Sequence, residues 1–215
     1  MKNSSEIAQI RKEYTQESLD VIDVAADPIT QFKKWMDEAI QAELPEPTAM
    51  TVSTVTKEGK PHSRILLLKG VDERGMVFFS NYLSEKGEDM AANPFVCLNF
   101  FWPELERQVR VEGEVSKISD QESEVYFASR PRGSQIGAWV SPQSQVIESR
   151  EVLEEKIAEF NAKFEGQAIP KPPHWGGYLL VVDKVEFWQG RPSRLHDRIV
   201  YQKNQQAWKI FRVAP

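Results

Sequence analysis

The chain has 215 residues, of which 40% are hydrophobic and 10% aromatic, which is enough for one globular domain with its own core. A formal net charge of −5 without a basic stripe argues against nucleic acid as a partner, so an anionic ligand needs a local cluster of Arg and Lys. The longest apolar runs, such as Tyr178 to Val182, are too short to span a bilayer, and no signal-peptide core is visible, which predicts a cytoplasmic protein.

The first half of the chain predicts one helix followed by a β-rich region. Residues 1–25 have weak periodicity and predict a mobile arm, which leaves residues 26–215 as a single domain. Asp27 and Pro28 are typical of a helix start, and apolar residues recur behind them at helical spacing. Strands are predicted over 48–56, 61–69, 76–80, 95–102 and 107–115, with a short helix over 84–92.

The second half alternates between helical and strand-like patterns. Ser119 is the predicted N-cap of a helix that ends before Pro131, and Ser134 is the predicted start of a second short helix. A longer helix is predicted over 149–164, and strands over 177–188, 194–201 and 207–213. Strands separated by turns, with helices inserted, predict an α+β protein that is mainly β and contains an antiparallel barrel.

Several common functional motifs are missing from the sequence. There is no glycine-rich dinucleotide fingerprint after a strand, no Walker-type phosphate loop and no nucleophile elbow. His62, His174 and His196 are too scattered for a zinc site, so no metal is expected. These absences make hydrolase and nicotinamide-dependent functions poor interpretations.

The most informative segment lies near the C-terminus. If residues 194–201 form a strand, Arg194, His196 and Arg198 share one face and Leu195 packs on the other. Two guanidinium groups, an imidazole and the nearby indole of Trp188 suit a planar, anionic, aromatic ligand. The alternative is a solvated edge strand whose charges only maintain solubility.

Two further groups of residues indicate anion binding. Arg64 and Lys69 are five residues apart, so on a regular strand they point to opposite faces, and one site could hold both only with a bulge or a twist. Tyr126 and Arg130 share a face at a predicted helix end, and with Ser134 at the next helix start they predict a phosphate-binding cup. The alternatives are charges at strand ends that extend to water and a plain helix–Pro–helix corner.

Seven motifs in a fixed order make the sequence resemble the pyridoxamine 5'-phosphate oxidases over residues 10–215, nearly the whole chain. They are Arg11-Lys12-Glu13-Tyr14, the run from Arg64 to Lys69, Glu106-Arg107-Gln108-Val109, Ser129-Arg130-Pro131-Arg132, the run from Ser134 to Ser141, Gln143-Ser144 and the run from Glu186 to Arg198. One such motif would be weak evidence, whereas the ordered series is specific.

This resemblance implies a fold and a reaction. Members of that family are homodimers of a split β-barrel with peripheral helices, and FMN binds at the subunit interface. They oxidise pyridoxamine 5'-phosphate or pyridoxine 5'-phosphate to pyridoxal 5'-phosphate and reduce O2 to H2O2. By resemblance, the chain is therefore expected to be an FMN-dependent oxidoreductase of vitamin B6 metabolism.

The resemblance also implies roles for individual residues. The implied FMN-binding residues are Arg64, Ile65, Leu66, Leu67, Leu68, Lys69, Phe79, Ser80, Lys86, Gln108, Gln143, Ser144, Trp188 and Arg198. The implied substrate-binding residues are Arg11, Tyr14, Lys69, Tyr126, Arg130, Ser134, Arg194 and His196. Arg194 and His196 are also the catalytic candidates, because they would hold the pyridine ring of the substrate over the flavin.

One position departs from the family pattern. The family usually carries Ser-Arg-Lys where this chain has Ser84-Glu85-Lys86, and a carboxylate repels a phosphate. Either Glu85 turns to solvent or FMN binding is weakened. The alternatives to an oxidase are a nicotinamide-dependent flavin reductase and a non-catalytic protein that binds flavin or pyridoxal phosphate.

Overall fold

The structure is a computed structural model that describes Glu6, Gln9 and residues 13–215. Within residues 13–215 the chain forms five α-helices and nine β-strands. The helices are α1 (Pro28–Gln41), α2 (Glu85–Ala92), α3 (Asp120–Ser129), α4 (Arg132–Val140) and α5 (Glu151–Lys163). The strands are β1 (Ala49–Val55), β2 (Pro61–Leu67), β3 (Gly70–Asp72), β4 (Gly75–Asn81), β5 (Phe95–Trp102), β6 (Arg107–Lys117), β7 (Trp175–Gln189), β8 (Asp197–Asn204) and β9 (Ala207–Arg212).

All nine strands belong to one sheet in the order β2-β1-β5-β6-β7-β4-β3, and β8 pairs with both β7 and β9. The pairs β1–β2, β3–β4, β4–β7, β7–β8 and β8–β9 are antiparallel. Nine strands and five helices confirm the predicted α+β, mainly β class. Within the described residues, no helix combines the length and the apolar character needed to cross a bilayer.

The chain divides into two compact units, and β5, β6 and β7 each run through both. Unit 1 comprises residues 1–48, 99–111 and 183–215, and unit 2 comprises residues 49–98 and 112–182.

Unit 1 is organised around helix α1 and the end of the sheet. The Asp27 side chain accepts a hydrogen bond from the Thr30 backbone N–H, and Pro28 occupies the first helical turn, as predicted. The buried face of α1 carries Phe32 and Trp35. Trp35 makes an edge-to-face contact with Phe187 of β7 at a centroid distance of 5.2 Å, which fixes this helix against the sheet.

Unit 2 contains the β1–β2 hairpin, the β3–β4 hairpin and the remaining helices. Gly75 turns the second hairpin with a φ of 145°, and a side chain there would meet the Leu180 carbonyl oxygen, so only glycine fits. Helix α3 starts with a capping box between Ser119 and Glu122, which confirms Ser119 as its N-cap. The helix ends at Ser129, next to Arg130, which lines the cavity described below.

The prediction of a strand over residues 194–201 is wrong at its start. Pro192–Arg194 form one 3-10 turn, and β8 begins only at Asp197. The φ angles of Ser193 and Arg194 are 56° and 62°, in the left-handed region, so the chain reverses here instead of extending. The alternation of Arg194 and His196 along one strand face therefore does not exist. Leu195, expected to pack inward, is 69% exposed.

The prediction of Ser134 as a helix N-cap is also wrong. Helix α4 begins at Arg132, directly after Pro131, and has no side-chain cap. Ser134 is the third residue of the helix, and its backbone N–H donates to the Pro131 carbonyl at 2.8 Å. Because that N–H is already used, an anion at this position must rely on side chains and on the earlier N–H groups.

Candidate functional site

Unit 2 contains a cavity of about 270 Å³ that brings together most of the anion-binding candidates. Its lining includes the predicted residues Leu66, Leu67, Lys69, Phe79, Ser80, Tyr126, Arg130 and Gln143. A neighbouring cavity of about 260 Å³ shares Arg130 and Gln143 and adds Ser134. The side chains of the predicted phosphate-binding cup, Tyr126, Arg130 and Ser134, therefore line adjoining spaces.

A stack of aromatic rings forms one wall of the larger cavity. The Phe79 ring lies 3.9 Å from the Tyr126 ring and 5.3 Å from the Trp175 ring, with interplanar angles of 18° and 12°. The β4–β7 pairing produces this arrangement, because it places Phe79 opposite Gly177 and Trp175 opposite Asn81. Burial raises the pKa of the Tyr126 hydroxyl, which therefore stays protonated and can donate a hydrogen bond.

Arg130 is the cation of this cavity that lacks compensation. Its guanidinium carbon lies 4.6 Å from the Trp175 ring centroid. Within the part of the chain that the structure describes, its Nη1 is buried and has no hydrogen-bond partner. Burial also lowers the pKa of Arg130, so desolvation of its charge is not offset by an acidic neighbour. A buried donor without an acceptor, in a cavity, fits an anionic group of a ligand.

Lys69 and Arg64 belong to different groups of residues, but Lys69 lies beyond the end of the strand on which the prediction from their odd spacing depended. Strand β2 ends at Leu67, and the backbone N–H of Lys69 donates to the Val77 carbonyl at 2.8 Å. The exposed Lys69 side chain lies at the cavity. Ile65 is 63% exposed and Leu68 is buried, and neither contributes to the cavity lining.

Arg64 belongs to a second cluster, at the start of helix α2. Its Nη1 donates to Thr54 Oγ1 at 2.7 Å, and its Nη2 lies 3.6 Å from Glu85 Oε2. The buried Asp89 accepts hydrogen bonds from Thr54 at 2.6 Å and from the His62 ring at 3.0 Å. Burial by itself raises the pKa of Asp89, but these hydrogen bonds stabilise the charged form more strongly. The pKa of Asp89 is therefore lowered, and its side chain is a carboxylate.

Lys86, one turn away on α2, is the buried cation of this second cluster. The residue is 5% exposed, and its ammonium group makes one hydrogen bond within the described residues, to Ser84 Oγ at 3.1 Å. Burial and the nearby Arg64 lower its pKa, while Glu85 opposes the shift. Two unused N–H donors beside a second cation fit a doubly charged oxyanion.

The C-terminal candidates form a third group, in unit 1. The Trp188 and His196 rings are 4.6 Å apart, and the Tyr14 ring meets each of them edge-on at 5.7 Å. Three rings from residues distant in sequence thus form one cluster, although His196 is not on a strand. Arg194 is exposed beside this cluster.

His196 is held in one tautomer. The backbone N–H of Arg191 donates to His196 Nδ1 at 3.1 Å, so Nδ1 is unprotonated and the neutral ring carries its proton on Nε2. Burial, together with the Arg194 charge, lowers the pKa of the imidazole. Nε2–H is therefore available to a ligand as a donor at neutral pH.

The remaining candidates are dispersed. Arg198 lies opposite Trp188 across β7 and β8, but its guanidinium already binds Glu186 at 2.7 Å and the Ala214 carbonyl at 2.8 Å. Gln108 is half-buried on β6. Ser144 is exposed, with a φ of 71°, directly after Gln143. Arg11 lies outside the described residues.

Sequence reasoning missed three residues of these groups. Trp175 and Asn81 line both cavities, and Glu106 supports the ring cluster. Trp175 and Asn81 occur outside the recognised motifs, and their pairing across β4 and β7 is not visible from spacing. Glu106 stands within one of the motifs without an evident role. Among the described residues, no group of His, Cys, Asp and Glu is suited to hold a metal ion.

Two family profiles match the chain. Residues 36–164 match the family described as pyridoxamine 5'-phosphate oxidase. Residues 175–215 match the family described as pyridoxine 5'-phosphate oxidase C-terminal dimerisation region. Together the matches include the aromatic cavity, the charged cluster and the C-terminal ring cluster except for Tyr14.

Full-length relatives and solved structures agree with these matches. The pyridoxine/pyridoxamine 5'-phosphate oxidase of Cupriavidus pinatubonensis is 57% identical, over 98% of this chain and 100% of the relative. Its namesake from Nostoc punctiforme is 55% identical, over 97% and 98%. The crystal structure of PhzG from Burkholderia lata, in complex with tetrahydrophenazine-1-carboxylic acid, superposes with a TM-score of 0.86 at 29% identity, over 93% of this chain and 100% of that one.

A second solved structure bears on the fold alone. A pyridoxamine 5'-phosphate oxidase-related, FMN-binding protein from Nostoc punctiforme superposes with a TM-score of 0.70 at 18% identity, over 86% of this chain and 97% of that one. The two structural likenesses confirm the expected split-barrel fold class.

Proposed function

The chain belongs to the pyridoxamine 5'-phosphate oxidase family, and from this membership we propose that it oxidises pyridoxamine 5'-phosphate or pyridoxine 5'-phosphate to pyridoxal 5'-phosphate. We propose FMN as its cofactor and O2 as the acceptor that is reduced to H2O2. The observation that carries this proposal is the buried Nη1 of Arg130, which lies in a cavity lined by aromatic rings and has no hydrogen-bond partner among the described residues. It supports binding of a phosphorylated ligand.

The cavity residues supply what a substrate phosphate needs. Within the described residues, Nη1 of Arg130 has no hydrogen-bond partner and can donate to an anion, and Lys69 adds a second positive charge. Tyr126 and Ser134 add neutral hydroxyl donors. The Trp175 ring holds the guanidinium plane in place, so little conformational freedom is lost when the anion binds.

The charged cluster fits the phosphate of FMN. Lys86 is a buried ammonium that makes one hydrogen bond among the described residues, and Arg64 is anchored by Thr54, with its Nη2 3.6 Å from Glu85 Oε2. The proposed ring-binding contacts are the polar groups of Ser80, Gln108 and Gln143 and the indole of Trp188. Arg198 would contribute to FMN binding while bound to Glu186.

When bound, FMN supplies the redox chemistry by accepting a hydride equivalent from C4' of the substrate and passing the electrons to O2. The protein contributes orientation and electrostatics. Tyr14, Arg194 and His196 are proposed to bind the substrate's pyridine ring and its polar substituents. His196 would present Nε2–H as a donor, because the Arg191 backbone N–H fixes the other ring nitrogen as an acceptor.

We propose that the active species is a homodimer. The match of residues 175–215 to a C-terminal dimerisation region supports it. The purified protein is therefore expected to be dimeric and yellow, with one FMN per chain. A colourless monomer that fails to bind added FMN would contradict both the cofactor and the assembly.

The decisive experiment measures H2O2 formed from pyridoxamine 5'-phosphate in air without NADH. An oxidase produces peroxide and pyridoxal 5'-phosphate in equal amounts. A nicotinamide-dependent flavin reductase needs NADH, and a non-catalytic flavin- or pyridoxal-phosphate-binding protein produces neither product. Absence of peroxide from the FMN-loaded protein would overturn the proposed function.

A further inference from the structure

We infer that Glu106 is a positioning residue for the ring cluster, because its buried carboxylate fixes the backbone that carries Tyr14. This inference rests on the proposed function, in which Tyr14 and His196 bind the substrate. Glu106 touches neither a proposed ligand nor a redox centre, and it acts through Tyr14.

The carboxylate of Glu106 is bound by the N-terminal segment. Its Oε2 accepts hydrogen bonds from the backbone N–H of Thr15 at 2.8 Å and from that of Gln16 at 3.2 Å. Glu106 is 2% exposed, so these charge-assisted bonds are shielded from water. Two consecutive N–H groups directed at one oxygen fix the direction of the chain immediately after Tyr14.

The main chain of Glu106 holds the other side of the cluster. Its carbonyl oxygen accepts hydrogen bonds from the Gly190 N–H at 2.7 Å and from Gln189 Nε2 at 3.2 Å. Both donors belong to the two residues that directly follow Trp188. A side chain at Gly190 would lie 2.8 Å from Tyr14 and 3.0 Å from the Glu106 side chain. The contact of Tyr14 with the end of β7 therefore depends on both residues.

The backbone of Glu106 is strained in this role. Its φ is 54°, a left-handed conformation that costs free energy for a residue other than glycine. Glycine would relieve the strain but would lose the carboxylate. Glu106 is therefore buried, held in an unfavourable conformation and bound by two backbone amides of a distant segment. These features are expected of a residue that positions that segment.

Further hydrogen bonds of the N-terminal segment are made by residues farther from Tyr14 in the chain. Arg191 and Arg212 donate to the carbonyl oxygens of Glu17 and Leu19 at 3.1 and 2.8 Å, and Asp197 accepts from the Leu19 N–H at 3.1 Å. These bonds link Glu17 and Leu19 to the C-terminal part of unit 1. Glu106 accepts from the backbone N–H groups of the two residues after Tyr14, and the Gln16 side chain also donates to the Glu104 carbonyl at 2.6 Å.

The test uses Glu106→Gly, which removes the carboxylate and suits the backbone, and Glu106→Gln, which keeps an acceptor oxygen of the same shape. Glu104→Ala is the matched control, because Glu104 is exposed on the same turn and only its main chain contacts the segment. We expect Glu106→Gly to accelerate amide hydrogen exchange of Thr15 and Gln16 by about tenfold or more in the FMN-free protein. We expect Glu106→Gln and Glu104→Ala to change the exchange much less.

In the FMN-loaded enzyme, Glu106→Gly should lower kcat/KM for pyridoxamine 5'-phosphate about tenfold and leave the FMN content unchanged. Glu106→Gln should retain most of the activity. In a Tyr14→Ala background, Glu106→Gly should have no further effect on kcat/KM, since it acts through Tyr14. Unchanged exchange, or equal losses in the Gly and Gln variants, would overturn the inference, as would additive effects in the double variant. An inactive wild-type enzyme that still shows the exchange effect would refute the proposed function and leave the placement of Tyr14 by Glu106 intact.

Discussion

The Arg130 guanidinium lies over the Trp175 indole, with 4.6 Å between its carbon and the ring centroid. The indole holds the fork in one plane but cannot accept its hydrogen bonds in full. Within the described residues, Nη1 has no other partner. Trp175 thus presents a desolvated cation to the cavity, ready to bind an anion.

Arg130→Gln should lower kcat/KM for pyridoxamine 5'-phosphate about ten- to a hundredfold, because a charge-assisted hydrogen bond to the phosphate is lost. Stability of the ligand-free protein should not fall, since burial already disfavours this charge. Arg132→Gln is the control, because the Arg132 guanidinium donates to the Phe164 and Gln167 carbonyls at 2.8 and 3.2 Å instead. Steady-state kinetics per bound FMN test this, and an equal loss in both variants would contradict it.

Arg194→Lys should reduce kcat/KM about ten- to a hundredfold while the FMN content stays normal. The charge remains, but the planar fork that binds ring substituents is lost. Leu195→Ala serves as the neighbouring control. Because Leu195 is 69% exposed, its truncation should leave both Tm and kcat/KM unchanged. If Arg194→Lys keeps full activity, this turn is a solvated loop without a substrate contact.

The Arg194 charge should also set the pKa of His196. Burial and Arg194 lower that pKa, so the neutral ring persists below the ordinary value of about 6.5 and protonation opposes folding at lower pH. Arg194→Gln should therefore raise the His196 pKa and move the acidic limb of the kcat/KM profile to higher pH. NMR titration of the histidine rings measures this, with His62 and His174 as internal controls. A His196 pKa that stays constant or falls would be inconsistent with this account.

Glu85→Arg should tighten FMN binding to the apoprotein. Glu85 Oε2 lies 3.6 Å from Arg64 Nη2, where it competes with a phosphate for that cation. Its side chain is 57% exposed, so the gain should be about 1 kcal/mol or less. Quenching of FMN fluorescence gives the affinity, and Glu88→Arg, on the same helix, controls for general charge. Equal gains in both variants would show that Glu85 has no specific effect.

Lys86→Met should stabilise the apoprotein and weaken FMN binding. The lowered pKa of Lys86 means that its ammonium is less favourable in the folded protein than in the unfolded chain, so the charge opposes folding at pH 7. Methionine fills the same space without that cost, and a gain of about 1 kcal/mol in unfolding free energy is expected. Urea denaturation and FMN titration of the apoprotein measure the two effects. A destabilised variant would mean that the buried ammonium supports the fold.

The sequence by itself determined the capped helix starts, most strands and the chemical character of the site. Asp27 with Pro28, and Ser119 with Glu122, are local signals, because capping depends on residues within one turn. The motif order also indicated the family. The caps depend only on neighbouring residues, and the family assignment depends only on the order of the motifs. Neither inference requires knowledge of the tertiary structure.

The tertiary structure decided which side chains meet and which ones are left uncompensated. The turn at Ser193 and Arg194 depends on left-handed backbone angles, which the alternation of charges did not reveal. The contact between Trp175 and Arg130 joins the start of β7 to the end of α3, and the bonds from Thr15 and Gln16 to Glu106 join residues about ninety positions apart. Burial lowers the pKa of both Arg130 and Lys86, and it depends on the whole fold, because desolvation is a property of all surrounding atoms.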